Sequence, residues 1–346
     1  MYESHSEIFS QGTALKRTLD ALLGRRGEIK EAIGSYDFKE IVFVACGSSY
    51  WAALSAHMTM QRLTGKRCHA VKSGDIVMDP DYFKNAYEKP LLILPSRSGS
   101  TQETLIAAGA MKERYDCDIV GLVEYGDSGI KEISSLALEF PWANEKSVCQ
   151  TRSFSNIYLA SIAIAAILAD DDGLIGDLRK YLDRFDELSK ACEEKILHMI
   201  ADFPGCASLA ALGGGCQYGV SVEGAYINIE MSQFPSNYYG TLEWRHGPIV
   251  MADESMLVSI TCGANAREYE ESMAKDTRAK GSRVLSVSAL DDFENSDYRL
   301  SLGWQCADET VALFSVMALQ GFAYHKAVER GIDPDNPPGL VPWISL

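Results

Sequence analysis

The stretch Pro90-Leu91-Leu92-Ile93-Leu94-Pro95-Ser96-Arg97-Ser98-Gly99-Ser100-Thr101-Gln102-Glu103-Thr104-Leu105 decides the fold. Its first part is an apolar run with the length and composition of a buried strand, and it passes through a hydroxyl-rich turn into a segment that opens as a helix. Backbone N–H groups at the start of a helix have no intrahelical partner. The hydroxyls of Ser96, Ser98 and Thr101 add donors at the same point, so a phosphate fits there. The same arrangement occurs earlier, where Ile41-Val42-Phe43-Val44-Ala45-Cys46-Gly47 is an apolar strand and Ser48-Ser49-Tyr50 starts a helix. Each turn taken alone is equally an ordinary strand-to-helix turn with a hydroxyl N-cap. Two of them can converge on one ligand.

Working outward, the chain alternates strand and helix in two rounds. After an amphipathic N-terminal helix over about Glu3 to Ile33, strands are expected at 40–46, 67–72, 90–96, 117–124 and 136–141, with helices between most of them. That pattern predicts a parallel, doubly wound sheet. A helical region from Ser153 to about Ala201, broken near Asp171-Asp172-Gly173, leads to a second set of strands at 207–213, 237–243, 255–262, 282–289 and 297–302 and a final helix at 308–330. The expected organisation is an N-terminal helical segment (1–36), a first domain (37–190) carrying the phosphate cradle, and a second (191–346). No Pro/Gly linker marks the boundary, which suggests two tightly packed domains.

Composition narrows the class. The 346 residues exceed what one core usually supports, and 47% apolar residues can fill two. No apolar run reaches the roughly 18 residues of a membrane span, and Met1-Tyr2-Glu3-Ser4-His5-Ser6-Glu7 lacks a basic signal region, so a cytoplasmic protein is expected. Nine scattered cysteines without a Cys-x-x-Cys pair read as reduced thiols, many of them in strands, rather than a disulfide frame or zinc site. A net charge of −16 argues against nucleic acid and anionic membranes as partners. It also repels a phosphate, so short-range donors must hold that group. Arg97 is either one of them, as a charge-assisted contact, or a solvated surface arginine.

The second half carries candidate acid–base groups. Tyr218-Gly219-Val220-Ser221-Val222-Glu223-Gly224-Ala225-Tyr226-Ile227-Asn228-Ile229-Glu230 puts Glu223 and Glu230 seven residues apart, on one helical face. Its apolar neighbours suggest a buried helix, a setting that raises a carboxylate's pKa. His246 follows, with Gly247-Pro248 as a stiff turn to present it. A single Glu or His in such a sequence is more often a satisfied structural group.

These motifs together resemble the sugar isomerase (SIS) domain family. The first phosphate turn of that family reads like Cys46-Gly47-Ser48-Ser49-Tyr50 and its second like Ser96-Arg97-Ser98-Gly99-Ser100-Thr101. Val148-Cys149-Gln150-Thr151-Arg152-Ser153-Phe154 resembles its third substrate loop, Gly213 to Glu230 its catalytic helix, and Glu243-Trp244-Arg245-His246-Gly247-Pro248 its histidine loop. The likeness covers essentially the whole chain. It is nearest in pattern to the isomerase half of glucosamine-6-phosphate synthases and to fructosamine-6-phosphate deglycases. It implies two tandem flavodoxin-like SIS domains of α/β class. Gly47, Ser48, Ser49, Ser96, Arg97, Ser98, Thr101, Gln150 and Glu223 would then bind substrate and phosphate, with Glu230 and His246 catalytic. In the resembling enzymes the glutamate moves protons between adjacent sugar carbons, while the histidine assists ring opening from the neighbouring subunit. A homodimer or higher homo-oligomer with shared active sites is therefore implied.

The departures shape the functional expectation. Glucosamine-6-phosphate synthases carry a lysine three residues before the catalytic glutamate, where this chain has Ile227. A second lysine near their C-terminus is matched here by Pro342. Cys46, the first cysteine of the sequence, belongs to the phosphate strand, so no glutaminase domain with its cysteine nucleophile is expected. An acid–base pair without those lysines suits a substrate that already bears nitrogen at C1. The expected activity is cleavage of a fructosamine 6-phosphate to glucose 6-phosphate and free amine, with no metal and no cofactor. Alternatives are an aldose–ketose isomerase of a sugar or amino-sugar phosphate and a phosphosugar-sensing regulator. An arginine, Arg97 or Arg245, is a candidate to grip an amino-acid carboxylate.

Overall fold

The computed structural model describes residues 2–341; Pro342 lies outside them. Central strands are continuous apolar runs because both their faces are covered, and this makes them legible as strands. β1 (Glu40–Ala45), which follows helices α1 (Glu3–Phe9), α2 (Gly12–Gly24) and α3 (Arg26–Ser35), is buried at every position. After it come α4 (Gly47–Thr64), β2 (Arg67–Lys72), α5 (Ser73–Met78), β3 (Pro90–Ser96), α6 (Gln102–Tyr115), β4 (Ile119–Val123), α7 (Gly129–Ile133) and β5 (Leu136–Glu139). All neighbouring strands pair in parallel, in the order β2-β1-β3-β4-β5. Helices α8 (Arg152–Ala169), α9 (Asp172–Asp183) and α10 (Phe185–Asp202) lead to β6 (Ser208–Gly213), α11 (Tyr218–Ser232), β7 (Ser236–Gly240), β8 (Met256–Thr261), α12 (Arg267–Ala279), β9 (Arg283–Ser288), β10 (Tyr298–Ser301) and α13 (Asp308–Glu329). The second sheet is also parallel, in the order β10-β9-β8-β6-β7. Counted from its own first strand, its order is the same as that of the first sheet.

The chain divides into two compact units, and the division departs from the expected boundaries. One unit holds residues 13–145 and 152–175; the other holds 2–12, 146–151 and 176–341. The N-terminal helix is three helices rather than one. Gln11 ends α1 by donating to the Ile8 carbonyl (2.9 Å) and to Gln320 (3.2 Å). Gly12 then passes Phe185 so closely that a Cβ would lie 2.4 Å from its ring. Residues 176–190, expected in the first domain, belong with the second sheet because their side chains are anchored to it. Asp177 accepts the Ala307 N–H (2.8 Å), and Lys180 and Arg184 both lie 4.8 Å from the centre of the Trp304 ring.

Segment 146–151 is likewise held by its own unit. The Glu7 carboxylate accepts from the Lys146 N–H and the Ser147 hydroxyl, Asp335 accepts the Val148 N–H through its carbonyl, and Gln320 donates to the Thr151 carbonyl. Two helices, α8 and α13, are in fact long and apolar enough to cross a membrane by composition, contrary to the expectation of no such run. Both are core helices, buried along most of their length, which is why they are apolar all round. All nine cysteines are free thiols, but only Cys68 lies within a strand; Cys46 and Cys262 sit immediately after one.

Candidate active site

The phosphate turns belong to the first sheet. Because β1 and β3 are hydrogen-bonded neighbours, the turns that leave their C-terminal ends lie side by side at the point where the strand order reverses. Cys46 is extended and Gly47 takes φ +56°, a left-handed conformation that opens α4 and that glycine adopts without strain. Ser48 and Ser49 follow, both buried in its first turn. On the second turn Ser96 ends β3 and its Oγ accepts the Gly99 N–H (3.0 Å), while the Ser98 Oγ accepts the Ser100 N–H (3.1 Å). Gly99 has φ +62°, and a Cβ there would lie 2.4 Å from the Ser128 Oγ, so no other residue fits. Thr101 is the N-cap position of α6. Gly47, Ser48, Ser49, Ser96, Ser98 and Thr101 thus lie on the two turns that leave these neighbouring strands.

Arg97 is not a solvated arginine. Its side chain is 13% exposed, with Nη1 3.6 Å from Oε1 of the fully buried Glu145 side chain. Glu145 also accepts from the Ser153 hydroxyl. A second buried carboxylate, Glu124, ties to the same turn, since its N–H donates to the Arg97 carbonyl (3.2 Å) and its Oε1 accepts from Asn156 (2.9 Å). Burial, and then the nearby Glu145 charge, hold the Glu124 carboxyl well above the usual carboxylate range, against the opposing pull of Asn156, Arg97 and Arg152. Sequence reasoning missed both glutamates. A carboxylate directly after the apolar strand Ile119-Val120-Gly121-Leu122-Val123 was the available signal.

The acid–base candidates belong to the second unit. On α11, Glu223 is fully buried and Glu230, two turns later on the same face, is partly exposed. Ile227, between them, is fully buried, so the lysine position of the resembling synthases is filled by packing. Gly224 lets α13 approach: a Cβ would meet the Leu319 Cδ1 at 2.1 Å. Asn228 fastens the two helices by donating to the Gly224 carbonyl (2.8 Å) and the Leu319 carbonyl (3.3 Å). Gln150 lies in the 146–151 loop of this unit, and its Oε1 is buried without a hydrogen-bond partner.

The histidine loop is a turn anchored on one side. Trp244 is fully buried and donates to the Thr277 hydroxyl (3.1 Å), while Arg245 reaches Asp276 (2.9 Å) and Ser272 (2.8 Å) on α12. His246 is left exposed, ahead of Gly247 at φ +132° and Pro248. Both arginines considered for gripping a carboxylate therefore already have one within the protein, Arg97 facing Glu145 and Arg245 facing Asp276. Among the described residues no three His, Cys, Asp or Glu side chains are grouped to hold a metal ion.

Two doubly wound five-stranded sheets, the first with a hydroxyl-lined turn at its switch point and the second with a carboxylate-bearing helix, define an α/β protein of the tandem SIS fold. Residues 36–169 match the SIS domain model. Over 98% of its length the chain is 25% identical to a glutamine–fructose-6-phosphate aminotransferase (isomerizing) of Shewanella oneidensis, of which it spans 58%. The structure of a glucosamine-6-phosphate deaminase from Thermotoga maritima is similar over 99% of this chain and 100% of that one, with 29% identity and a TM-score of 0.81. A tagatose-6-phosphate ketose/aldose isomerase from Escherichia coli shares the fold at a TM-score of 0.81 and 20% identity, covering 99% and 97% of the two chains.

Proposed function

We propose that the protein processes a 6-phosphosugar by proton transfer between C1 and C2, and that its substrate is a fructosamine 6-phosphate. The observation that carries this reading is α11 itself, which presents Glu230 on the face of Glu223 but has no lysine, the position three residues before Glu230 being the buried Ile227. A substrate that brings its own nitrogen needs no such amine. Ser48, Ser49, Ser96, Ser98 and Thr101 bind the phosphate through hydroxyls and backbone N–H groups, which suits a chain of net charge −16. Glu230 takes the C1 proton to give an enaminol; returning a proton to C2 leaves an imine at C1, and water releases the amine and glucose 6-phosphate. His246 opens the sugar ring, acting from the neighbouring subunit of a homo-oligomer.

A second reading is favoured by a specific observation. One relative matched over 99% of this chain and all of its own is named a glucosamine-6-phosphate deaminase, which supports an isomerase acting on an amino-sugar phosphate. The two separate in one assay of fructosamine 6-phosphate, glucosamine 6-phosphate and fructose 6-phosphate, with glucose 6-phosphate, ketose phosphate and free amine measured. Glucose 6-phosphate with equimolar amine from fructosamine 6-phosphate is the expected result. Turnover of the other two alone would replace the first reading by the second.

A further inference from the structure

The second sheet repeats the topology of the first, so it has a switch point of its own, between the C-terminal ends of β6 and β8. A cavity of about 480 Å³ lies there, within the size range of small-molecule sites. Its chemistry is the reverse of the first. The turn after β6 is Gly214-Gly215-Cys216, without a hydroxyl, and the backbone donors of the turn after β8 are already taken by the chain's own carboxylates. Glu270 accepts the Gly263 N–H (3.0 and 3.2 Å to its two oxygens), and Asp308 accepts the Ala264 N–H (2.8 Å). Where the first sheet leaves room for a phosphate, the second supplies its own anions.

Glu270, Asp308 and Glu243 line this cavity, and none of its lining residues is a lysine, arginine or histidine. Another wall residue is Thr241, which is 6% exposed and whose hydroxyl has no hydrogen-bond partner among the described residues. A buried hydroxyl without a partner is costly, and a hydroxylated ligand relieves it. Among the described residues no three His, Cys, Asp or Glu side chains come together here to hold a metal ion, and the charge and size of the cavity suit an organic cation. We propose that the switch-point cavity of the second sheet is a binding site, separate from the phosphate cradle, for a small polyhydroxylated primary amine. Its ammonium faces Glu270 and Asp308, and one of its hydroxyls pairs with Thr241.

The state of Glu270 gives the site a recognisable signature. Burial pushes this carboxyl up to about 7; Asp308 from α13 and Glu271 on its own helix push the same way, while the Gly263 N–H and Arg267 oppose. Cys262, at the end of β8, is held as a neutral thiol by burial. An ammonium ligand favours the ionised carboxylate, so binding expels the proton, and affinity rises with pH through neutrality.

The probe is D-glucamine, whose alkylammonium stays charged throughout the range, with D-glucitol as its neutral counterpart, titrated by calorimetry in an amine-free buffer. Saturable binding of glucamine but not glucitol is expected, tightening about tenfold from pH 6 to pH 8. Glu270→Gln keeps an acceptor for the Gly263 N–H; it should weaken binding about tenfold at pH 8 and abolish the pH dependence. Thr241→Val should weaken binding by about threefold to tenfold, the equivalent of one hydrogen bond. In the unaltered protein, the amide resonances of Gly214 and Gly215 should shift on titration, a readout that needs no variant to fold. Equal behaviour of glucamine and glucitol, or glucamine binding that leaves those amides unmoved, overturns the proposal. So does loss of binding in Glu230→Gln, which would place the amine in the acid–base site.

Discussion

Glu230 and Glu124 illustrate how differently two glutamates of one chain are placed. Glu230 is partly exposed on α11, as suits a group that must meet substrate. If it carries the C1/C2 proton, Glu230→Gln should fold and bind substrate yet lose on the order of 10²–10⁴ in kcat. Proton exchange with deuterated water at C1 or C2 is the direct check, and retained exchange would remove Glu230 from the mechanism. Glu124, by contrast, is sealed in, with Oε2 lacking a hydrogen-bond partner among the described residues and its carboxyl held well above the ordinary range, first by burial and then by Glu145. The folded protein therefore keeps this proton where the unfolded chain has released it. Its contribution to stability is complete below the ordinary carboxylate value and declines as pH rises toward the folded value, by up to about 1.4 kcal/mol per pH unit. Glu124→Gln should flatten that decline in urea midpoints measured from pH 5 to 9. Identical slopes would mean that Arg97 and Arg152 keep Glu124 ionised. The hydroxyls and glycines of the cradle were readable because turn chemistry is local. Glu124 and Glu145 were not, since their significance depends on an Arg97 contact that only the folded chain creates.

Elements were legible where their cause lies inside them. Central strands covered on both faces announce themselves as apolar runs, and all ten strands lie where the sequence puts them, give or take ends. The ends moved for nearby reasons: β5 stops at Glu139 because Pro141 begins a short 3-10 turn, and β7 stops at Gly240 ahead of the turn Glu243–Arg245. The break after α1 was illegible because Phe185, which forces the glycine, is far away in sequence. Gly224 is a comparable case on α11, and opposing magnitudes decide its replacement. Alanine in place of glycine gains about 1 kcal/mol of helix propensity, but a Cβ 2.1 Å from Leu319 Cδ1 and 3.1 Å from its Cγ overpacks the contact with α13, at a typical cost of about 1–3 kcal/mol. Gly224→Ala should therefore be destabilised by up to about 2 kcal/mol, read from urea unfolding. A raised midpoint would show that Leu319 swings aside. The same variant also tests whether the Glu223 and Glu230 face needs α13 at its present distance.

At the scale of the whole molecule, two sheets of one topology carry opposite polar chemistry at their switch points, hydroxyls in the first and carboxylates in the second. The histidine loop adds a further feature of scale, since Trp244 and Arg245 anchor it inward while His246 is exposed, as are the apolar side chains Leu242, Val250 and Met251 close by in sequence. A surface of that kind is suited to a second copy of the chain. If His246 serves the Glu230 of the neighbouring subunit, Glu230→Gln and His246→Ala should each be nearly inactive as homodimers, whereas mixing the two with subunit exchange should restore activity. Two-fold symmetry sets the yield: each mixed dimer has one site bearing both defects and one bearing neither, so half its sites work. With random exchange of equal amounts, half of the dimers are mixed, and about a quarter of wild-type activity should return. A histidine acting on its own chain gives a different result, because every site in a mixed dimer then carries one defect and activity stays at the level of the parents. Measuring exchange independently, with differently tagged subunits, makes the second outcome decisive against the shared site.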